Sequence, residues 1–171
     1  MASMREEFRD RFGYLIGFTL FVVGVPLLMY VVSAPPRPSV TQLVLCFVLA
    51  CAGLALSIWS IVHMKRVGRG NPLDAFGYEV APRTQELMTD GPYALCRNPM
   101  LLGVLIYYGG LLVAMPSWKT VVIILAFAAI MFFQVKSEET RLEADFGDAY
   151  LAYKETTPAL IPYYKSDTKR G

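Results

Sequence analysis

At 171 residues the chain has the length of one domain, but 55% of its residues are apolar and its mean hydropathy is +0.43, which argues against a water-soluble globule. The net charge of +2 gives no basis for nucleic-acid binding. Three cysteines, Cys46, Cys51 and Cys96, show neither a disulfide framework nor metal-ligand spacing, so neither a stapled fold nor a metal centre is expected.

Four stretches almost free of charge divide the chain. Residues 12–34 are long enough to cross a hydrocarbon layer of about 30 Å, with Pro26 as an expected kink. They exceed a signal peptide, follow an Arg- and Glu-rich start and lack a small-residue cleavage pattern, so they are expected to remain as an anchor. Ser33-Ala-Pro-Pro-Arg-Pro-Ser39 cannot continue a helix, and residues 40–64 therefore return as a second span in a tight antiparallel hairpin. His63, the only histidine, sits near the end of that span and reads more readily as structural than as catalytic.

Gly68-Arg-Gly-Asn-Pro72 opens a loop that runs to Arg97. Loops of this length are usually functional or disordered, and Tyr78, Val80, Leu87, Met88 and Tyr93 favour one folded against the helix ends. A third span, residues 98–118, starts with Pro99 in the position proline prefers, leaving Asn98 either as a helix cap or as a ligand contact. Its Gly109 and Gly110 suit close helix packing, whereas Gly103, one turn in from Arg97, could also admit a ligand. The fourth span, residues 119–136, is short, but Lys119 and Lys136 can reach outward to the interface. Its helix should continue to residue 145 and break at Phe146-Gly147. A short amphipathic helix over residues 148–155 then carries Tyr150 and Tyr153 on one side.

Of the sixteen lysines and arginines, all but Arg37 and Lys119 fall at the two ends or in the middle loop, as do all fourteen acidic residues. The positive-inside rule then places both termini in the cytoplasm. The expected molecule is a single-domain, all-α integral membrane protein of the cell (inner) membrane. It has four transmembrane helices and a catalytic region at about residues 68–162, where the cytoplasmic loop and C-terminal amphipathic helix form the site.

Polar groups at the mouths of two membrane helices could bring a charged cofactor to a greasy acceptor. Methyl transfer from S-adenosylmethionine requires alignment and exclusion of water more than proton transfer. Its charges and flat adenine call for a carboxylate, a guanidinium, a close backbone and aromatic walls, which Arg97, Asn98, Gly103, Glu138, Glu139, Tyr93, Tyr150 and Tyr153 would supply. Arg97 could hold the cofactor carboxylate bidentately or act only as an interfacial anchor. Glu138 and Glu139 project about 100° apart on a helix and cannot both face one site, and Glu138 could instead pair with Arg141.

The order Gly91-Pro92-Tyr93, Arg97, Pro99, Gly103, Glu138-Glu139, Leu142, Phe146-Gly147, Tyr150, Tyr153, Ile161-Pro162 resembles the isoprenylcysteine carboxyl methyltransferase family and its phospholipid methyltransferase relatives. The resemblance implies an enzyme that uses S-adenosylmethionine, held by Gln85, Glu86, Leu87, Met88, Tyr93, Arg97, Asn98, Pro99, Met100, Leu101, Gly103, Glu138 and Glu139. It also implies catalytic roles for Arg97 and Glu138, and acceptor contacts at Gln134, Tyr150 and Tyr153. Asn98 stands where the carboxyl-methylating members have histidine, Leu101 where they have tyrosine, and Gln134 where they have the arginine that holds the substrate carboxylate. The Asn-Pro-Met form looks like the phospholipid methyltransferase version, and a neutral amide at 134 shifts the expected acceptor to a membrane lipid or small hydrophobic molecule. A membrane sterol-type reductase using NADPH and a non-enzymatic four-helix scaffold are the competing readings. Ion-coupled carriers usually keep an ionisable residue deep in a span, and these spans have none.

Overall fold

The computed structural model describes residue 17, residues 19–68 and residues 86–162. Gln85, Tyr78, Val80, the first residues of the 12–34 stretch and the last residues of the tail lie outside them. The regular structure of the described residues is entirely helical, without strand: α1 (Thr19–Ser33), α2 (Val40–Gly68), a short 3₁₀ turn (Gly91–Ala94), α3 (Pro99–Ala114), α4 (Trp118–Phe146) and α5 (Asp148–Thr156).

Local chemistry explains the boundaries. α1 begins with π-type turns over Thr19–Gly24 and becomes regular at Val25–Ser33, with Pro26 near the junction where its missing N–H does least harm. It ends on Ala34 in the left-handed region ahead of Pro35 and Pro36. Ser39 and Gln42 form a reciprocal capping box at the start of α2, the Ser39 N–H donating to Gln42 Oε1 at 2.8 Å. Pro99 opens α3, Pro116 follows its end, and Ser117 accepts from the Lys119 N–H to cap α4. α4 runs unbroken to Phe146, and Gly147 turns the chain back into α5.

Two of these helices, α2 and α4, are long and apolar enough to cross a membrane, and most of their apolar side chains are exposed. α3 is shorter than the sequence suggests. Sixteen residues in α3 rise only about 24 Å, less than a typical hydrocarbon thickness. The proline-containing ends set this length, because Pro99 fixes the first turn and Met115-Pro116 cannot extend the last.

α3 lies against α2 at close range because Gly53 and Gly103 face each other. A Cβ on Gly53 would come within 2.6 Å of the Tyr107 nitrogen, and one on Gly103 within 2.8 Å of the Ser57 nitrogen. Ser57 Oγ donates across the seam to the Met100 carbonyl at 3.0 Å. Tyr107 and Tyr108 reach α1, where their hydroxyls donate to the carbonyls of Val22 (3.0 Å) and Phe21 (2.9 Å). These phenols satisfy backbone groups in the π-type segment that would otherwise be costly in an apolar setting.

Candidate functional site

The ends of α2, α3 and α4 meet α5 at one end of the bundle. α4 continues past its apolar section through Lys136, so Glu138 and Glu139 project from a rigid helix just beyond it. Their 100° separation gives them different surroundings. Glu139, 5% exposed, turns inward. Its Oε1 accepts from Arg97 Nη2 at 2.6 Å and Nε at 3.1 Å, and its Oε2 faces Lys136 Nζ at 3.5 Å and Lys154 Nζ at 3.8 Å. Burial opposes ionisation of Glu139, but the hydrogen bond and charge of Arg97, followed by the charges of Lys154 and Lys136, outweigh it and hold its carboxyl below the ordinary range. Glu138, on the adjacent face, lines a cleft.

Arg97 is held from several directions. Its Nη1 donates to the carbonyls of Lys154, at 3.2 Å, and Thr157, and its backbone N–H donates to the Pro158 carbonyl at 2.8 Å. At least four of the five guanidinium N–H groups are therefore engaged by protein. Asn98 does not cap α3. Its Nδ2 donates to the Ala159 carbonyl at 2.8 Å, joining the start of α3 to the segment after α5. Tyr153 adds a buried hydrogen bond to the Tyr93 carbonyl at 2.6 Å. Burial, and then the nearby Glu139 charge, push the Tyr150 phenol up to about 12, and burial raises Tyr153 as well, so both stay protonated at neutral pH.

The cleft is open to solvent, and the empty space within and in front of it comes to about 480 Å³. Of the residues expected from sequence, Leu87, Met88, Arg97, Asn98, Glu138, Glu139, Tyr150 and Tyr153 line it. Glu86, Tyr93, Pro99, Met100, Leu101, Gly103 and Gln134 are not among its walls. Tyr93 lies behind it, packed with Met64 and Met88, and Gly103 is occupied by the α2–α3 seam. Sequence reasoning missed Met64, Val135 and Leu142 as wall residues. Val135 and Leu142 were within reach of helical phase, since they stand three residues before and four after Glu138. Met64 required knowledge that the end of α2 meets the loop before the 3₁₀ turn.

The walls combine an anionic carboxylate, aliphatic and thioether side chains and phenol rings, a donor set that fits a molecule with a cationic centre and a flat aromatic part. Among the described residues no group of three His, Cys, Asp or Glu side chains could hold a metal ion. Compared with known proteins, residues 41–149 match the family model described as phospholipid methyltransferase. No curated protein and no solved structure matches the chain.

Proposed function

The chain belongs to the phospholipid methyltransferase family, and from that premise we propose that it transfers the methyl group of S-adenosylmethionine to a membrane lipid or small hydrophobic acceptor at the cytoplasmic interface. The observation that carries this reading is the position of the cleft: it opens beside Glu138, immediately beyond the apolar length of α4, with Leu87, Met88 and Tyr150 on its other walls. The donor supplies an electrophilic methyl on a sulfonium. The C–S bond breaks with its electron pair going to sulfur while the acceptor's lone pair forms the new bond, and any proton on the acceptor atom passes to water.

In this proposal the chain's own groups bind, orient and exclude water. Glu138 provides the carboxylate nearest the donor's ammonium group, the positive charge that S-adenosylhomocysteine also carries, and Leu87, Met88, Val135 and Leu142 shield the reacting atoms. Arg97 and Glu139, already paired, hold the floor of the cleft and present the remaining charge of the guanidinium to the donor's carboxylate. The rings of Tyr150 and Tyr153, which line the cleft, stand toward the acceptor. We further propose that α1 and α3 cross the membrane together with α2 and α4, with both termini cytoplasmic.

The test is incubation of the purified protein with S-adenosylmethionine labelled in its methyl group and a membrane lipid extract. Label should appear in an organic-soluble product, and Glu138→Gln should lower S-adenosylhomocysteine affinity at least about tenfold, as expected for losing a charge-assisted contact in a shielded site. Stabilisation by NADPH and not by S-adenosylhomocysteine in a thermal-shift experiment would replace this reading with the reductase one.

A further inference from the structure

His63 is the last residue of the regular part of α2, before π-type turns over Met64–Gly68. Its Nε2 meets Asp90 Oδ1 at 2.8 Å, and its ring tilts against the Tyr93 ring with centroids 6.1 Å apart. The ring also lies against Gly91: a Cβ there would come within 2.7 Å of His63 Cε1 and 2.9 Å of Nδ1. Gly91 takes φ +56, a conformation that disfavours side chains, so the chain can pass over the imidazole only with glycine at this point. Asp90 has two tasks, since its carbonyl accepts the Tyr93 N–H at 3.0 Å and starts the 3₁₀ turn while its carboxylate reaches His63.

The consequence lies two residues upstream. Leu87 and Met88 line the cleft, and Met88 is packed with Met64 and Tyr93, the immediate neighbours of the His63 contact. His63 itself does not line the cleft, so proton transfer to or from a ligand there is not its role. We infer that His63 is a positioning residue: through Asp90 and Gly91 it fixes the segment carrying Leu87 and Met88 against the end of α2, and thereby shapes the wall that receives the methyl donor. This inference rests on the proposed reading of the cleft.

The Asp90 side chain is 68% exposed, so the pair adds little to global stability. Its effect should instead appear in donor recognition. His63→Ala and Asp90→Ala should each weaken S-adenosylhomocysteine binding about three- to fivefold by calorimetry in detergent, the size expected of a partly exposed hydrogen bond. The double variant should be no weaker than either single one, because both remove the same contact. His63→Gln, which can still donate to Asp90, should recover most of the affinity. In turnover, donor KM should rise while kcat and acceptor KM hold. Unchanged affinity in both alanine variants, additive losses in the double variant, or a fall in kcat at constant donor KM would each overturn the inference. If His63→Ala does not fold, Asp90→Ala and His63→Gln carry the test. Wild-type protein that fails to bind S-adenosylhomocysteine would instead refute the donor site itself, and the positioning role with it.

Discussion

Removing the guanidinium of Arg97 would leave Glu139 as a buried carboxylate with only Lys136 and Lys154, at 3.5 and 3.8 Å, to face it. Breaking a buried pair in this way costs about 3–5 kcal/mol, and the two lysines reduce that, so Arg97→Ala should lose about 2–3 kcal/mol and melt earlier than wild type. Glu138→Gln, on the cleft side of the same helix, should leave the melting temperature nearly unchanged, which separates a ligand contact from a structural one. The same pair predicts a pH effect. Because the folded-state pKa of Glu139 is depressed, its stabilisation is fully present above the ordinary carboxylate range and is lost as pH falls through the depressed value. Melting curves of wild type against Glu139→Gln should therefore converge in acid and diverge toward neutrality. Curves that stay parallel throughout would show that the Arg97 contact contributes nothing to folding.

The α2–α3 seam makes a sharper demand on sequence than either helix alone. A Cβ at Gly53 meets backbone atoms of α3, which cannot rotate away, so Gly53→Ala should cost about 1–3 kcal/mol by forcing the helices apart. Gly109→Ala is the matched control: nothing lies within 4 Å of its Cβ, and alanine favours helix, so its melting temperature should hold or rise. Equal losses at both positions would mean that helix propensity rather than close approach governs the seam. These contrasts also show what the chain makes legible. Pro99, the break at Gly147 and the paired Tyr150 and Tyr153 are local signals, and each marks an observed boundary or face. The partner of Arg97 was not legible, because choosing between Glu138 and Glu139 needs the rotational setting of α4, which packing decides. The capping alternative for Asn98 failed for the same reason. The acceptor of Asn98, the Ala159 carbonyl, lies 61 residues away, and no local rule could prefer it to a capping bond.

Contacts at the two ends of the bundle fix how the helices run. At one end Ser33 Oγ and Thr120 Oγ1 are 2.7 Å apart, and Lys119 Nζ donates to the Val32 carbonyl at 3.1 Å, so the end of α1 meets the start of α4. At the other, Met64 of α2, Arg97 before α3 and Glu139 of α4 surround the cleft. α3 therefore joins the ends that α4 separates. If α4 crosses a bilayer, α3 must carry the chain back across it despite rising only about 24 Å. Local thinning of the bilayer can absorb a mismatch of that size. Four crossings then place the Ser39 and Lys119 connections on one side and the cleft on the other. In a background lacking Cys46, Cys51 and Cys96, cysteines at Ser39 and Lys119 should react with an impermeant maleimide from the external face of intact cells. Cysteines at Leu95 and Glu155 should react only after the membrane is opened. Labelling at Ser39 and Lys119 from opposite faces would show that α3 does not span, and labelling of all four from one side would rule out a crossing by α2 and α4 as well.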